Sequence, residues 1–247
     1  MLSVLEEKHR GDYTRSFDAL LEFLAVDSRP YVIEQIPDRL DWLFSDLKTY
    51  ERLVEAYDNE AIKHDFDSLG DIYVENQSHL TQSYKGQFFS PEQICRFMAK
   101  MMAADKKTEK KEGKILVCDP AVGSGRMLLA TYDEFGDSAA YYGVDVDRRA
   151  LQIAFINASH KGIQDFYLLH ADSILHDTRP NSPNWKYANR LWGPSYWDEL
   201  ETGREEKVEE PVPNIKAAME LKSDGPEKLP GKQEGKGREG EQLGLFW

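Results

Sequence analysis

Lys114-Ile115-Leu116-Val117-Cys118-Asp119-Pro120-Ala121-Val122-Gly123-Ser124-Gly125-Arg126-Met127-Leu128-Leu129 is the stretch from which the expected architecture of the chain follows. The apolar run Ile115 to Cys118 is short enough for a buried parallel strand, and good helix formers resume at Arg126. Asp119 to Gly125 is therefore a strand-to-helix loop. Gly123 and Gly125 let the backbone approach a ligand without a clashing Cβ, and the helix start beyond them offers unpaired N–H groups to an electron-rich group. The pattern predicts a nucleotide-type pocket in an α/β fold. A tight turn with no ligand is the plain alternative, and the flanking strand and helix supply the context that argues against it.

The details of the loop narrow the ligand. A dinucleotide fingerprint needs a third glycine three residues after the second, but Arg126, Met127 and Leu128 follow Gly125, which disfavours a nicotinamide-dependent oxidoreductase. The Gly-Lys-Ser/Thr of a phosphate-binding P-loop is absent as well. Asp119-Pro-Ala-Val-Gly-Ser-Gly125 resembles instead motif I of the S-adenosylmethionine (SAM) dependent DNA amino-methyltransferases. That resemblance implies Asp119 and Pro120 beside the cationic methionine end of the cofactor, with Gly123 and Gly125 passing under it.

Charge is distributed unevenly along the 247 residues, whose formal net charge is -13. Residues 1–80 carry 8 basic and 18 acidic side chains, 81–197 carry 15 and 13, and 198–247 carry 8 and 13. Acidic flanks oppose unaided binding to phosphate backbones, so DNA, if it is the substrate, is expected to be held weakly alone and with a partner's help. Cys95 and Cys118 lack disulfide-framework and metal-ligand spacing, which suggests a reduced, cytoplasmic setting. No apolar run approaches a spanning helix, and Met1-Leu-Ser-Val-Leu-Glu-Glu7 has no signal-peptide pattern, so no membrane role is expected.

Residues 1–80 read as a helical segment. Phe17, Leu20, Leu21 and Leu24 recur at helical spacing, as do Leu40, Leu43, Phe44 and Leu47, then Tyr50, Leu53, Val54 and Tyr57, with Pro30 and Pro37 as punctuation. Ser90, Pro91 and Gln93 suit N-cap, N1 and N3 of the next helix, Glu92 to Ala103. Leu69-Gly-Asp-Ile-Tyr73 followed by Gly86-Gln-Phe-Phe-Ser-Pro91 also looks like the opening of the catalytic domain in type I restriction-system modification subunits. In that family this is motif X, which implies Phe88, Ser90 and Pro91 against the methionine part of SAM.

Beyond the central loop, Tyr141 to Val144 reads as a second strand ending in Asp145, and Phe166 to His170 as a third. A carboxylate at the tip of the second strand suits ribose hydroxyls. Asp145 accordingly resembles the ribose acid of motif II, and Asp172 the motif III acid that accepts from the adenine amino group. Asp147 is expected to be a helix N-cap, and His160, His170 and His176 show no metal-ligand pattern and are expected to be structural.

The family's catalytic tetrapeptide, Asn/Asp-Pro-Pro-aromatic after a fourth strand, is missing. There the flipped-out base stacks on the aromatic ring while aligned carbonyls accept the amino protons. Ser182-Pro-Asn-Trp185 and Gly193-Pro-Ser-Tyr196 are two degenerate candidates, and the second, after a candidate strand at Asn189 to Trp192, keeps Pro194 and Tyr196. Both are also readable as plain loop prolines. Gly193 carries no side-chain acceptor, so transfer is expected to be impaired if it stands in the Asn position.

Residues 198–241 are rich in Glu, Lys, Gly and Pro and are expected to be disordered. Gln242, Leu243, Leu245 and Phe246 resemble the bacterial sliding-clamp-binding motif. The chain as a whole reads as a doubly wound, Rossmann-like α/β methyltransferase core at 81–197, with a helical segment at 1–80 and a disordered tail at 198–247. The resemblance implies a SAM-dependent DNA adenine-N6 methyltransferase, with a specificity subunit among its partners. The alternative is a catalytically impaired SAM-binding module tethered to the replication machinery by its C-terminal peptide. A motif I match also leaves open methylation of another amino group, in an RNA base or a protein glutamine.

Overall fold

A computed structural model of the chain describes residues 12–28, 45–63, 66–76, 89–106, 114–192 and 244–246, together with 5, 10 and 43. In chain order its elements are α1 (Tyr13–Ser28), α2 (Leu47–Lys63), α3 (Ser68–Asn76), α4 (Glu92–Lys106), β1 (Ile115–Asp119), α5 (Arg126–Phe135), β2 (Ala139–Asp145), α6 (Arg148–His160), β3 (Phe166–His170), a 3-10 turn at Pro183–Tyr187, and β4 (Gly244–Phe246). The apolar run of the central stretch is thus a strand, and the residues after its glycines are a helix. Among the described residues no helix is long and apolar enough to cross a membrane.

The strands form one parallel sheet in the order β3-β2-β1-β4. Parallel strands need crossovers, and α5 and α6 supply them. Val117 lies level with Tyr141, and Asp119 with Gly143; Gly143 in turn pairs with Leu168. The order reverses beside β1, so the carboxyl end of β1 is the switch point at which open sheets of this kind leave a crevice.

Alternation along the strands gives the sheet two buried faces. Val117, Tyr141 and Leu168 join the main core with Leu128, Leu129, Leu151 and Phe155 of the crossover helices. Tyr142, Val144, Tyr167 and Leu169 turn the other way, under Trp185, Tyr187 and Ala188. Tyr142 stacks on Tyr167 with ring centroids 5.0 Å apart and meets the Trp185 ring at 82°. The N-terminal helices belong to the main core: α1 packs along α6, where Arg149 donates to both carboxylate oxygens of Asp18 at 2.5 and 2.9 Å. α4 packs along α5 through Cys95, Ala99 and Ala103.

Two expectations change. Asn189 to Trp192 form no strand. Asn189 adopts φ 61 and docks on the outer edge of β3, its backbone N–H donating to the Leu168 carbonyl at 2.7 Å and its side-chain oxygen accepting from the Leu168 N–H at 2.9 Å. A short polar side chain that tolerates the left-handed region has closed the sheet edge in place of a strand. Leu245 and Phe246 lie in β4, paired with β1, rather than at a free tip. Gln242, Leu243 and the tail at 198–241 fall outside the described residues.

Both cysteines are free and buried. Burial, with Asp119 alongside, pushes the Cys118 thiol up to about 12, and burial raises that of Cys95 against the pull of Arg126. Thiol reagents attack the thiolate, so both cysteines are expected to be silent toward such a reagent at pH 8 in the native protein and to react after denaturation. A fast-reacting thiol in the native state would contradict this packing.

Candidate functional site

The loop between β1 and α5 is built on two left-handed residues: Gly123 at φ 53 and Gly125 at φ 90. Side chains disfavour both positions for reasons beyond backbone strain. A Cβ on Gly123 would stand 3.0 Å from the Phe89 ring, and one on Gly125 would stand 3.2 Å from the Cβ of Ala154 in α6. The Val122 N–H donates to the Val144 carbonyl at 2.9 Å, which ties the loop to β2. Gly125 N–H donates to the Val122 carbonyl at the same distance, and the chain then enters α5.

Phe89, Ser90, Met98, Asp119, Gly123 and Arg126 line a cavity of about 240 Å³ at the carboxyl end of β1. That is the size for one end of a nucleoside-sized ligand rather than the whole of it. Asp119 is nearly buried, at 5% exposure, and its Oδ1 accepts the Ala121 N–H at 3.0 Å. Pro120 is half-buried in the turn between Asp119 and Ala121. A larger cavity, about 580 Å³, opens between α1 and α6 around Arg15, Asp18, Arg149 and Trp192. Much of its charged lining is already matched: Arg149 holds Asp18, and Asp147 caps α6. The smaller cavity, at the switch point, is the better candidate.

Asp145 and Asp172 extend the site along the strand ends. The Ala171 N–H donates to the Asp145 carbonyl at 3.1 Å, so the two acids stand on adjoining strand tips. Asp145 Oδ2 accepts from the Gly123 N–H and Oδ1 from the Asp147 N–H, each at 2.8 Å. Burial raises the Asp145 carboxyl above the usual carboxylate range, while those backbone donors pull it back. Asp172 Oδ1 accepts from the Ile174 and Leu175 N–H groups at 2.8 and 3.2 Å, which folds the loop after β3 around it. Neither acid lines the cavity itself.

Asp147 is the N-cap of α6, as expected: its side chain accepts from the Arg149 N–H at 3.0 Å, and also from the Tyr73 hydroxyl at 2.8 Å. The cap of α4 differs from the expected box by one residue. The Pro91 carbonyl accepts from Ile94 and Cys95, which puts Pro91 at the cap and frees the Ser90 carbonyl to accept from Arg126 Nη1 at 3.3 Å. His160 packs its ring against Tyr57, and His170 Nε2 lies 3.1 Å from the Val146 carbonyl.

Of the paired phenylalanines, Phe89 meets the loop, and Phe88 lies outside the described residues. Phe89 ends a run of rings, Tyr13 to Phe17 to Tyr73 to Phe89, with centroids 6.2, 5.9 and 6.0 Å apart. Local spacing does not separate Phe88 from Phe89, and the helical spacing of Phe17 points only to a core. Pro194 and Tyr196 also lie outside the described residues. The other degenerate catalytic candidate is structural: Trp185 is buried over Tyr142 with its Nε1–H donated to the Arg179 carbonyl, and Asn184 donates to the Asp177 carbonyl, both at 2.8 Å.

No curated protein sequence matches the chain. Among solved structures it is similar to the methyltransferase subunit of a type I restriction-modification system from Streptococcus thermophilus, at 17% identity and a TM-score of 0.36, over 73% of this chain and 41% of that one. The chain therefore spans less than half the length of that subunit. Residues 64–220, which include the glycine loop and all three strand-tip acids, match the family model for N-6 DNA methylases. With well over half its length so matched, the chain belongs to the N-6 DNA methylase family.

Proposed function

We propose that the chain binds S-adenosylmethionine at the carboxyl end of β1 and serves methyl transfer to the N6 amino group of adenine in DNA, together with a partner. The observation that carries this is the loop itself: two left-handed glycines beside a nearly buried Asp119, with Gly123 hydrogen-bonded to Asp145. Bound SAM supplies an electrophilic methyl group on a sulfonium, so the protein's task is positioning. Asp119 is suited to the ammonium end of the cofactor. Asp145 keeps a second lone pair on each oxygen for ribose hydroxyls, and Asp172 would take the adenine amino group. Phe88, Ser90 and Pro91 would flank the methionine part, while Pro194 and Tyr196 would meet the target base.

A partner is supported by two features. The net charge of -13 opposes a phosphate backbone. Ile94, Phe97, Met98 and Met101 form an exposed apolar stripe on α4, at 37 to 62% exposure, and Met98 also lines the cavity. Such a stripe suits a protein partner that carries the DNA contacts, and we propose a specificity subunit for that place.

The second reading, a SAM-binding module with impaired chemistry, is favoured by the loss of the strand expected at Asn189 to Trp192 and by the structural use of Ser182 to Trp185. Its tether to a sliding clamp would require Leu245 and Phe246 to leave β4. Isothermal titration with SAM, then tritiated-methyl transfer to unmethylated DNA with the same sample, separates the readings. Binding is the expected result, with transfer once a specificity subunit is supplied. Binding without transfer even then would favour the module, and no binding would overturn the reading of the loop.

A further inference from the structure

The N-terminal segment reaches the glycine loop through one carboxylate. Asp67, just before α3, is 3% exposed and receives four donors. Its Oδ1 accepts from the Gly70 N–H at 2.8 Å and from Asn157 Nδ2 of α6 at 2.7 Å. Its Oδ2 accepts from the Ser124 hydroxyl and from Arg126 Nε, each at 2.5 Å. Ser124 is the residue between the two left-handed glycines, and its carbonyl accepts from Asn157 Nδ2 at 3.0 Å. The middle of the loop is thus held at both its hydroxyl and its carbonyl by groups remote in sequence. Arg126 extends the connection: it pairs with Asp71 of α3, donates to the Ser90 carbonyl, and lies 5.5 Å from the Phe89 ring centroid.

We infer that Asp67 is a positioning residue that holds the Gly123–Gly125 loop in its ligand-ready conformation and so sets cofactor affinity; this rests on the SAM reading above. Fixing a residue's backbone costs conformational entropy, and a loop with two glycines has more freedom to lose than most. A lock formed on folding removes that cost from the binding step. The geometry requires a carboxylate. Four donors converge on two oxygens, so an amide at this position would turn its own N–H groups toward donors and leave buried polar groups unmatched.

The test uses the full chain as wild type, Ser124→Ala and Asp67→Asn, with SAM as the probe. Three readouts are needed: the SAM dissociation constant by titration, hydrogen exchange of the amides from Gly123 to Arg126 without ligand, and the melting temperature. Ser124→Ala is expected to weaken SAM about tenfold and Asp67→Asn about thirtyfold or more. Exchange should quicken at the loop amides while those of α6 and β2 keep their protection, a pattern that a general loss of stability would not give. If Asp67→Asn fails to fold, Ser124→Ala carries the test alone. Wild type that binds SAM beside a folded Ser124→Ala that binds within twofold overturns this inference and leaves the functional reading intact. Wild type that binds no SAM overturns the functional reading, and this inference with it.

Discussion

Gly125→Val is expected to weaken SAM binding by at least about 30-fold. Two costs add. A β-branched residue at φ 90 is forced into a region that non-glycine residues rarely adopt, at roughly 1–2 kcal/mol. Its side chain also enters the contact between the start of α5 and α6, where even a single Cβ stands 3.2 Å from Ala154 Cβ and 3.4 Å from Ala154 Cα. The second of those is backbone in the middle of a buried helix, so the neighbour cannot swing aside. Overpacking of this kind costs about 1–3 kcal/mol. The sum, about 2–5 kcal/mol, corresponds to a loss of roughly 30-fold or more in affinity if the loop must return to its present conformation to bind. Gly125→Ala incurs the backbone strain with less crowding and should lose about tenfold. Titration with SAM beside a melting curve checks both, since a loop that relaxes into another shape loses affinity with little change in melting. A valine variant that binds within threefold of wild type would show that the loop's conformation is not what the ligand reads.

The features legible in the sequence were those whose causes are local. Ile115 to Cys118 and Phe166 to His170 declare strands by short apolar runs, and the structure has strands there. Asp147 declares an N-cap by standing one residue ahead of a helical pattern. What stayed hidden was set by partners far along the chain. In the sequence Asp67 is one of 18 acidic residues in 1–80, yet two of its four donors, Ser124 and Asn157, stand 57 and 90 positions away. Ser182 to Trp185 kept a proline and an aromatic at suggestive spacing, but the ring serves to cover Tyr142. Asn189 carried a strand-like context, and its left-handed φ, with hydrogen bonds to β3, replaced the expected strand by an edge cap. In each case the use of the residue is decided by which surface the fold brings against it.

Phe155→Ala is expected to cost about 3–5 kcal/mol, the range for deleting a fully buried phenylalanine ring. Phe155 is 0% exposed on α6, meeting Phe166 of β3 at 5.4 Å and Trp192 at 5.2 Å, both nearly edge-on. For a unit of this size each kcal/mol lowers the melting temperature by about 2–4 °C, so a fall of about 6–20 °C should appear. Val146→Ala, at a side chain 58% exposed just before α6, should stay within about 0.5 kcal/mol and serves as the control. The shape of the transition matters as much as its midpoint. α1 is fastened to α6 by Arg149 and Asp18, and Asn157 of α6 ties Asp67 to the glycine loop. Loosening α6 should therefore melt the N-terminal helices and the sheet together, in one transition followed equally by helical signal and by aromatic signal. Two separated transitions would mean that residues 1–80 fold on their own, and that the Asp67 lock joins two units instead of lying inside one.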